Sequence, residues 1–333
     1  MSEKSQKSNS ERSDKKTGPV IYAAPSPHFY SPSMSTRRMM IDVLIALMPV
    51  IVMALYLFKW NAGKQILICL ATCLIAEIIF TKMRKKPFSI GDCSAAITGI
   101  ILGLSLPAPA PWYVGVIGSV VAIGIGKIIF GGLGMNLFNP AMVGRAFVMI
   151  SFAGVMAASG YVDPKNIIDT MTMATPLNAY KQAGIITPYM DLLMGTVNGS
   201  PGEVSGIACL IGGIYLCVRR TASWEIPAGM IGASVFFGGL ADISGIQENW
   251  TVLHHLFSGS LLFGAFYIAT DPVTNPLTPK GKFLFGAGAG ALVMLLRIFS
   301  GYPEGVMFAI LFMNGVTPLI NKWMKHRTMG DIT

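Results

Sequence analysis

Met39-Met-Ile-Asp-Val-Leu-Ile-Ala-Leu-Met-Pro-Val-Ile-Val-Met-Ala-Leu-Tyr-Leu-Phe58 decides the fold class. A helix of this length rises about 30 Å, the thickness of a bilayer's hydrocarbon core. Its one charge, Asp42, sits near an end, as an interfacial residue would. Comparable apolar runs recur at roughly 65–81, 91–106, 112–130, 140–159, 204–218, 226–240, 255–269, 283–299 and 304–321. The expected fold is therefore an all-α polytopic membrane protein with about ten transmembrane helices. Several runs are too short to cross upright, so neighbouring protein or a cavity must shield their backbone.

Composition agrees. Hydrophobic residues make up 53% of the 333 positions and charged residues 12%, about half the charged share of a soluble domain. The first 33 residues are polar and lack the apolar core of a cleavable signal. They are expected to form a disordered cytoplasmic arm ahead of a transmembrane domain over 34–327, with 328–333 as a cytoplasmic tail. Net charge is +9, but the basic residues cluster at the ends of apolar runs, at Arg37-Arg38, Lys82 to Lys86, Arg219-Arg220 and Lys322 to Arg327. That is the pattern that fixes orientation in a lipid bilayer, and it argues against nucleic acid as a partner.

With the N-terminus inside, Lys82, Arg84, Lys85, Lys86, Lys127, Arg145, Arg219, Arg220, Lys280 and Lys282 fall at inner ends. Only Lys59, Lys64, Lys165, Lys181 and Arg297 fall outside. Both termini then face the cytoplasm, and the long loop 160–203 faces outward. The five cysteines offer no metal-ligand spacing; Cys69 and Cys73, one turn apart, read as buried thiols.

Ala95 to Asn139 and Ser258 to Asn314 share a plan: an apolar run with spaced glycines, a Pro-rich break, a second run, and a basic residue before glycines. Lys127-Ile-Ile-Phe-Gly-Gly in one matches Arg297-Ile-Phe-Ser-Gly-Tyr in the other. Two five-span halves, about 39–159 and 204–321, would lie in opposite orientations.

Two breaks carry chemistry. In Gly131-Gly-Leu-Gly-Met-Asn-Leu-Phe-Asn-Pro140, followed by Arg145, glycines let amides approach a ligand, and Asn139 precedes a Pro-initiated helix. Arg145 suits a phosphate or a flavin carbonyl, or else snorkels from a tight turn. Thr270-Asp-Pro-Val-Thr-Asn-Pro-Leu-Thr278 is the second break. Glu77 lies deep in an apolar run, where a carboxylate costs roughly 2.5 kcal/mol or more unless paired, protonated or hydrated. It is either part of a cation or proton pathway, or it reaches Lys82 and Arg84 at the interface. Asp92 reads as an interfacial charge, and Glu304 as an ion-pair partner of Arg297.

Asp169-Thr-Met-Thr-Met-Ala-Thr175 lies in the longest polar loop. Thr175 before Pro176 is an ordinary helix start; its hydroxyl is equally a group that a phosphate can esterify. Asp-x-x-Thr-x-Ala-Thr resembles the acceptor segment of flavin transferases, which move the FMN part of FAD onto the last Thr or Ser. Met173 stands where acceptor segments usually carry Gly. Gly-Gly-Leu-Gly-Met-Asn-Leu-Phe-Asn-Pro-Ala, Ala-Thr-Asp-Pro-Val-Thr-Asn-Pro and Gly-Tyr-Pro-Glu-Gly-Val-Met-Phe-Ala-Ile-Leu-Phe-Met-Asn complete the likeness. Together they resemble the membrane-protein family that includes the D subunit of the Rnf complex and the B subunit of the Na⁺-translocating NADH:quinone oxidoreductase.

That resemblance implies covalent FMN on Thr175, with Asp169, Thr172 and Ala174 completing the attachment motif. It further implies electron transfer between ferredoxin and NAD⁺ coupled to Na⁺ or H⁺ translocation, with the remaining Rnf subunits (A, B, C, E and G) and a flavin transferase as partners. A second, non-covalent flavin (riboflavin in the quinone-reducing relative) would sit among the spans, its residues unassigned. The alternatives are the quinone-reductase counterpart, or a secondary transporter using Glu77 with no redox role.

Overall fold

The structure, a computed structural model, describes residues 35–85, 90–157, 160–162, 170–172, 175–245, 250–300 and 305–324. The expected N-terminal arm and C-terminal tail lie outside these residues, as does Glu304. Helix α1 (Thr36–Met83) starts at Ser35, whose hydroxyl accepts the Arg38 amide at 3.2 Å. At 48 residues it would rise about 72 Å if straight, more than two hydrocarbon thicknesses. Lys59, at φ 50°, breaks it where two spans were expected to be joined by a loop.

Next come α2 (Ser94–Ser105), α3 (Trp112–Ile123) running into a π-turn at Gly124–Ile128, α4 (Pro140–Ser151) and α5 (Ala153–Ala157). Strands β1 (Gly160–Val162) and β2 (Thr170–Thr172) pair antiparallel, Gly160 opposite Thr172, a small departure from the all-helical expectation. Then follow α6 (Pro176–Ala183), α7 (Tyr189–Met194), α8 (Gly206–Val218) and α9 (Glu225–Ile243). The chain continues through α10 (Val252–Phe257), α11 (Leu261–Phe263) with a π-turn at Gly264–Ile268, α12 (Pro279–Phe299) and α13 (Val306–Trp323).

Among the described residues, α1, α9, α12 and α13 are long and apolar enough to cross a membrane; α2, α3, α4 and α8 are shorter apolar helices. Ile45, Val52, Ile79, Ile211 and Leu295 are exposed on these helices, as lipid-facing side chains are. The chain is a multi-pass membrane protein.

Lipid gives no hydrophobic drive between helices, so they associate where small residues let backbones touch. Gly99 and Gly103, one turn apart on α2, lie against the backbone of Leu70 and Ile66 in α1. Gly286 and Gly290 on α12 lie so close to the carbonyls of Ile226 and Met230 in α9 that any Cβ would collide.

The two breaks meet inside the protein. Pro140 and Pro279 occupy first-turn positions of α4 and α12, capped by Asn139 (accepting from the Met142 amide, 3.3 Å) and Thr278 (accepting from the Gly281 amide, 3.1 Å). The Asn139 amide donates to Asn314 Oδ1 at 3.2 Å, and Asn139 Nδ2 to the Ile268 carbonyl at 3.3 Å. Asn314 Nδ2 in turn donates to the Thr274 carbonyl at 3.3 Å. These side chains satisfy backbone groups that the prolines and π-turns release, as apolar surroundings demand.

Candidate functional site

Thr175 caps α6 in position but not in chemistry. Its backbone is extended (φ −64°, ψ 155°) and its carbonyl accepts from the Ala179 amide at 2.8 Å. Its hydroxyl makes no cap bond; Oγ1 is buried without a partner. It faces a cavity of about 300 Å³ together with Leu192, Asn198, Glu203, Phe257 and Gly259. Asn198 Oδ1 is a second buried, unpartnered oxygen on that cavity. A buried hydroxyl or amide oxygen left without a partner costs about 1–3 kcal/mol.

Arg145 belongs to this site. Its Nη1 donates to Glu203 Oε1 at 2.8 Å, and both side chains are buried. The sequence placed Arg145 toward the inner end of the helix that starts at Pro140. Asn139 caps the start of α4, and Arg145, in the second turn of that helix, pairs with Glu203. Of the rest of the attachment motif, Asp169 and Ala174 lie outside the described residues, and Thr172 is described only as the end of β2.

The second locus is built on charge. Glu77 is fully buried and accepts a 2.6 Å hydrogen bond from Lys127 Nζ. Lys127 also donates to Ser94 Oγ at 2.6 Å, and Ser94 Oγ donates to Asp92 at 2.6 Å. Glu77 does not turn to Arg84, whose Nη1 goes to the Ile128 carbonyl. Its partner comes instead from the π-turn of α3, fifty residues away in sequence. Lys127, Ser94, Asn136, Asn139, Thr270 and Asp271 are among the polar residues lining a cavity whose remaining wall is mostly apolar.

Asp42 is more than an interfacial charge: it is buried and accepts from Tyr215 (3.4 Å), Arg219 (3.3 Å) and Thr221 (3.1 Å), tying α1 to α8. Arg297, the sequence counterpart of Lys127, is fully buried and donates to the carbonyls of His255 and Ser258. Cys69 and Cys73 are buried free thiols, as expected. Among the described residues no cluster of His, Cys, Asp and Glu is placed to hold a metal ion. On α6, burial and the nearby Arg297 guanidinium lower the Lys181 pKa below its usual 10.5.

A profile of the NQR2, RnfD, RnfE family matches residues 22–330, nearly the whole chain. The chain belongs to that family. Among curated relatives, the D subunit of the Na⁺-translocating ferredoxin:NAD⁺ oxidoreductase complex of Acetobacterium woodii is 40% identical over 309 residues, covering 92% of this chain and 94% of the relative. The D subunit of the proton-translocating ferredoxin:NAD⁺ oxidoreductase complex of Clostridium ljungdahlii is 39% identical over 322 residues (93% and 96%). The D subunit of the ion-translocating oxidoreductase complex of Actinobacillus succinogenes is 36% identical over 345 residues (92% and 96%). These relatives are subunits of oxidoreductase complexes, which confirms the likeness drawn from the sequence motifs. The two members named for different ions are almost equally similar, so overall identity carries no ion preference.

Proposed function

We propose that this chain is the membrane subunit of an Rnf-type complex that carries FMN covalently on Thr175. In this reading it passes electrons between ferredoxin and NAD⁺ while the complex moves Na⁺ or H⁺ across a prokaryotic cytoplasmic membrane. The observation that carries the reading is the Thr175 hydroxyl: buried, unpartnered and facing a 300 Å³ cavity at the start of α6. The residues fit a phosphoester. Pro176 fixes the backbone after Thr175, and the neighbouring Glu203 has its charge balanced by Arg145. FMN, once attached, supplies the electron chemistry; the protein supplies position and environment. The transferase must reach Thr175 by displacing its surroundings, because Oγ1 is covered as it stands.

The finer fold belongs to the same proposal. Counting α1 as two crossings and α10 with α11 and its π-turn as one gives ten spans with both termini inside. The 160–203 loop then faces outward. An inverted repeat is supported by Lys127 and Arg297, both buried, Lys127 donating to the hydroxyl of Ser94 just before the first copy and Arg297 to the carbonyl of Ser258 at the start of the second. It is also supported by Asn139 and Asn314, which close the two copies and bond to each other. Glu77, Lys127 and Ser94 are the proposed ion-pathway elements. The cavity beside them, lined by both polar and apolar side chains, is the proposed place for a second, non-covalent flavin. The other Rnf subunits and a flavin transferase are the proposed partners.

The test is a denaturing gel under ultraviolet light, run on protein made beside an active flavin transferase. A fluorescent band that disappears in Thr175→Ala, with turnover lost and complex assembly retained, supports the reading. A dark wild-type band overturns it and favours a transporter without a redox role.

A further inference from the structure

Four rings stack in a row next to the Thr175 cavity. Tyr180 of α6 stacks on Trp250 (centroids 4.5 Å, 24° between planes), and Trp250 on His254 of α10 (4.7 Å, 25°). His254 then meets Tyr189 of α7 (4.2 Å, 35°). Trp250 is fully buried and His254 is 3% exposed, whereas Tyr189, at the end of the row, is 40% exposed. Its ring is held from two sides, by His254 beneath it and by a 2.8 Å hydrogen bond between its hydroxyl and Thr251 Oγ1. A fixed aromatic face open on one side, flanked by exposed Ile186 and Met190, is a preorganised surface for a flat partner ring.

The same short helices hold the acceptor threonine. Thr175 meets Phe257 and Gly259 at the end of α10 across the cavity, while Tyr180, five residues later, stacks on Trp250 at its start. Helix α6 therefore runs back along α10. Leu192 of α7 also lines the Thr175 cavity, and Tyr189 is one turn earlier on that helix, about 4.5 Å along its axis. A phosphate and a five-carbon ribityl chain on Thr175 Oγ1 would carry the ring beyond the cavity that Leu192 lines.

We propose that the exposed face of Tyr189 is the docking platform for the isoalloxazine ring tethered at Thr175. The proposal rests on Thr175 carrying FMN and adds where the ring settles between encounters with its redox partners. Docked there, one flavin face is shielded from water by an electron-rich ring whose orientation the Trp250–His254 stack maintains. A tyrosine of the membrane-interface aromatic belt would also be partly exposed, but it would leave the flavin's surroundings untouched.

Flavin fluorescence separates the two roles, because a stacked Tyr or Trp quenches it. The experiment uses full-length chain made with the transferase. Intact mass first establishes the adduct, and fluorescence lifetimes are then compared for wild type, Tyr189→Leu, Tyr189→Phe and Tyr189→Trp. The platform predicts a dominant short lifetime in wild type, lengthened severalfold by Leu and by Phe, and kept or shortened by Trp. Phe preserves the ring's packing, so its result does not depend on tolerance of Leu. Tyr113→Leu, at a tyrosine of similar exposure elsewhere, should change nothing. Adduct present with wild-type lifetimes in both the Leu and Phe variants overturns the platform while leaving the Thr175 reading intact. Absence of adduct in the wild type overturns the Thr175 reading, and the platform with it.

Discussion

Removing the ammonium of Lys127 should damage the protein more than removing both members of its ion pair. Lys127 and Glu77 are 2% and 0% exposed with 2.6 Å between Nζ and Oε1, so neither charge has water to fall back on. Lys127→Met removes the ammonium from which Glu77 Oε1 accepts its 2.6 Å hydrogen bond. Breaking one side of such a buried pair costs about 3–5 kcal/mol, a large part of a typical total stability of about 5–15 kcal/mol. Glu77→Gln with Lys127→Met removes both charges at nearly constant volume, and comparable buried-pair replacements are often neutral. The double variant should therefore recover most of the loss, leaving a coupling energy of about 3 kcal/mol in a double-mutant cycle. Reversible unfolding of the purified chain in detergent, followed by tryptophan fluorescence, measures each corner. Wild-type stability in Lys127→Met, or a double variant showing the sum of the two single losses, would refute the reasoning.

Arg145→Leu should cost a similar amount by stranding Glu203, and Glu203→Gln in the same chain should restore stability; the same unfolding assay reads both. Gly286→Val, which drives a side chain into the Ile226 carbonyl, should separate α9 from α12 and abolish folded yield on size-exclusion chromatography. A surface change such as Gly232→Ala, where a Cβ meets nothing, should be silent. Burial, with the Arg297 guanidinium nearby, lowers the Lys181 pKa from its usual 10.5, so on the way down in pH the unfolded chain takes up this proton before the folded state does. Its contribution to stability is then fully present above 10.5 and is lost as pH falls from there through the lowered folded-state value. Lys181→Gln, which keeps a donor for the Ser300 carbonyl, should flatten that part of the profile in melts between pH 11 and 8.5. Glu77→Gln should change the sodium or proton dependence of turnover more than flavin content, and unchanged ion dependence would remove it from the pathway.

The multi-pass, mainly helical character was legible because lipid demands long apolar runs, and α1, α9, α12 and α13 display them. Thr175–Pro176 was legible as a helix start for an equally local reason, since N-cap and first-turn preferences act within one turn. The break of α1 at Lys59 was visible as a polar interval, but its positive φ within a continuous helical run was not. The charge pairs were hidden because their members are far apart: Glu77 and Lys127 are fifty positions apart, Arg145 and Glu203 fifty-eight. Glu77 announced that it needed a partner, yet its neighbours Lys82 and Arg84 looked nearer than Lys127. Glu203, in Ser-Pro-Gly-Glu-Val, carried no signal beyond an acid ahead of an apolar run. The aromatic row joins residues from α6, α7 and α10, and no spacing within any one of them foretells it.

Intact-mass measurement of the chain, made with and without an active flavin transferase, tests the central proposal most directly. A gain equal to FMN less one water, seen only with the transferase and lost in Thr175→Ala, is the predicted result. An unmodified mass with the transferase present, or an adduct that survives Thr175→Ala, would contradict it.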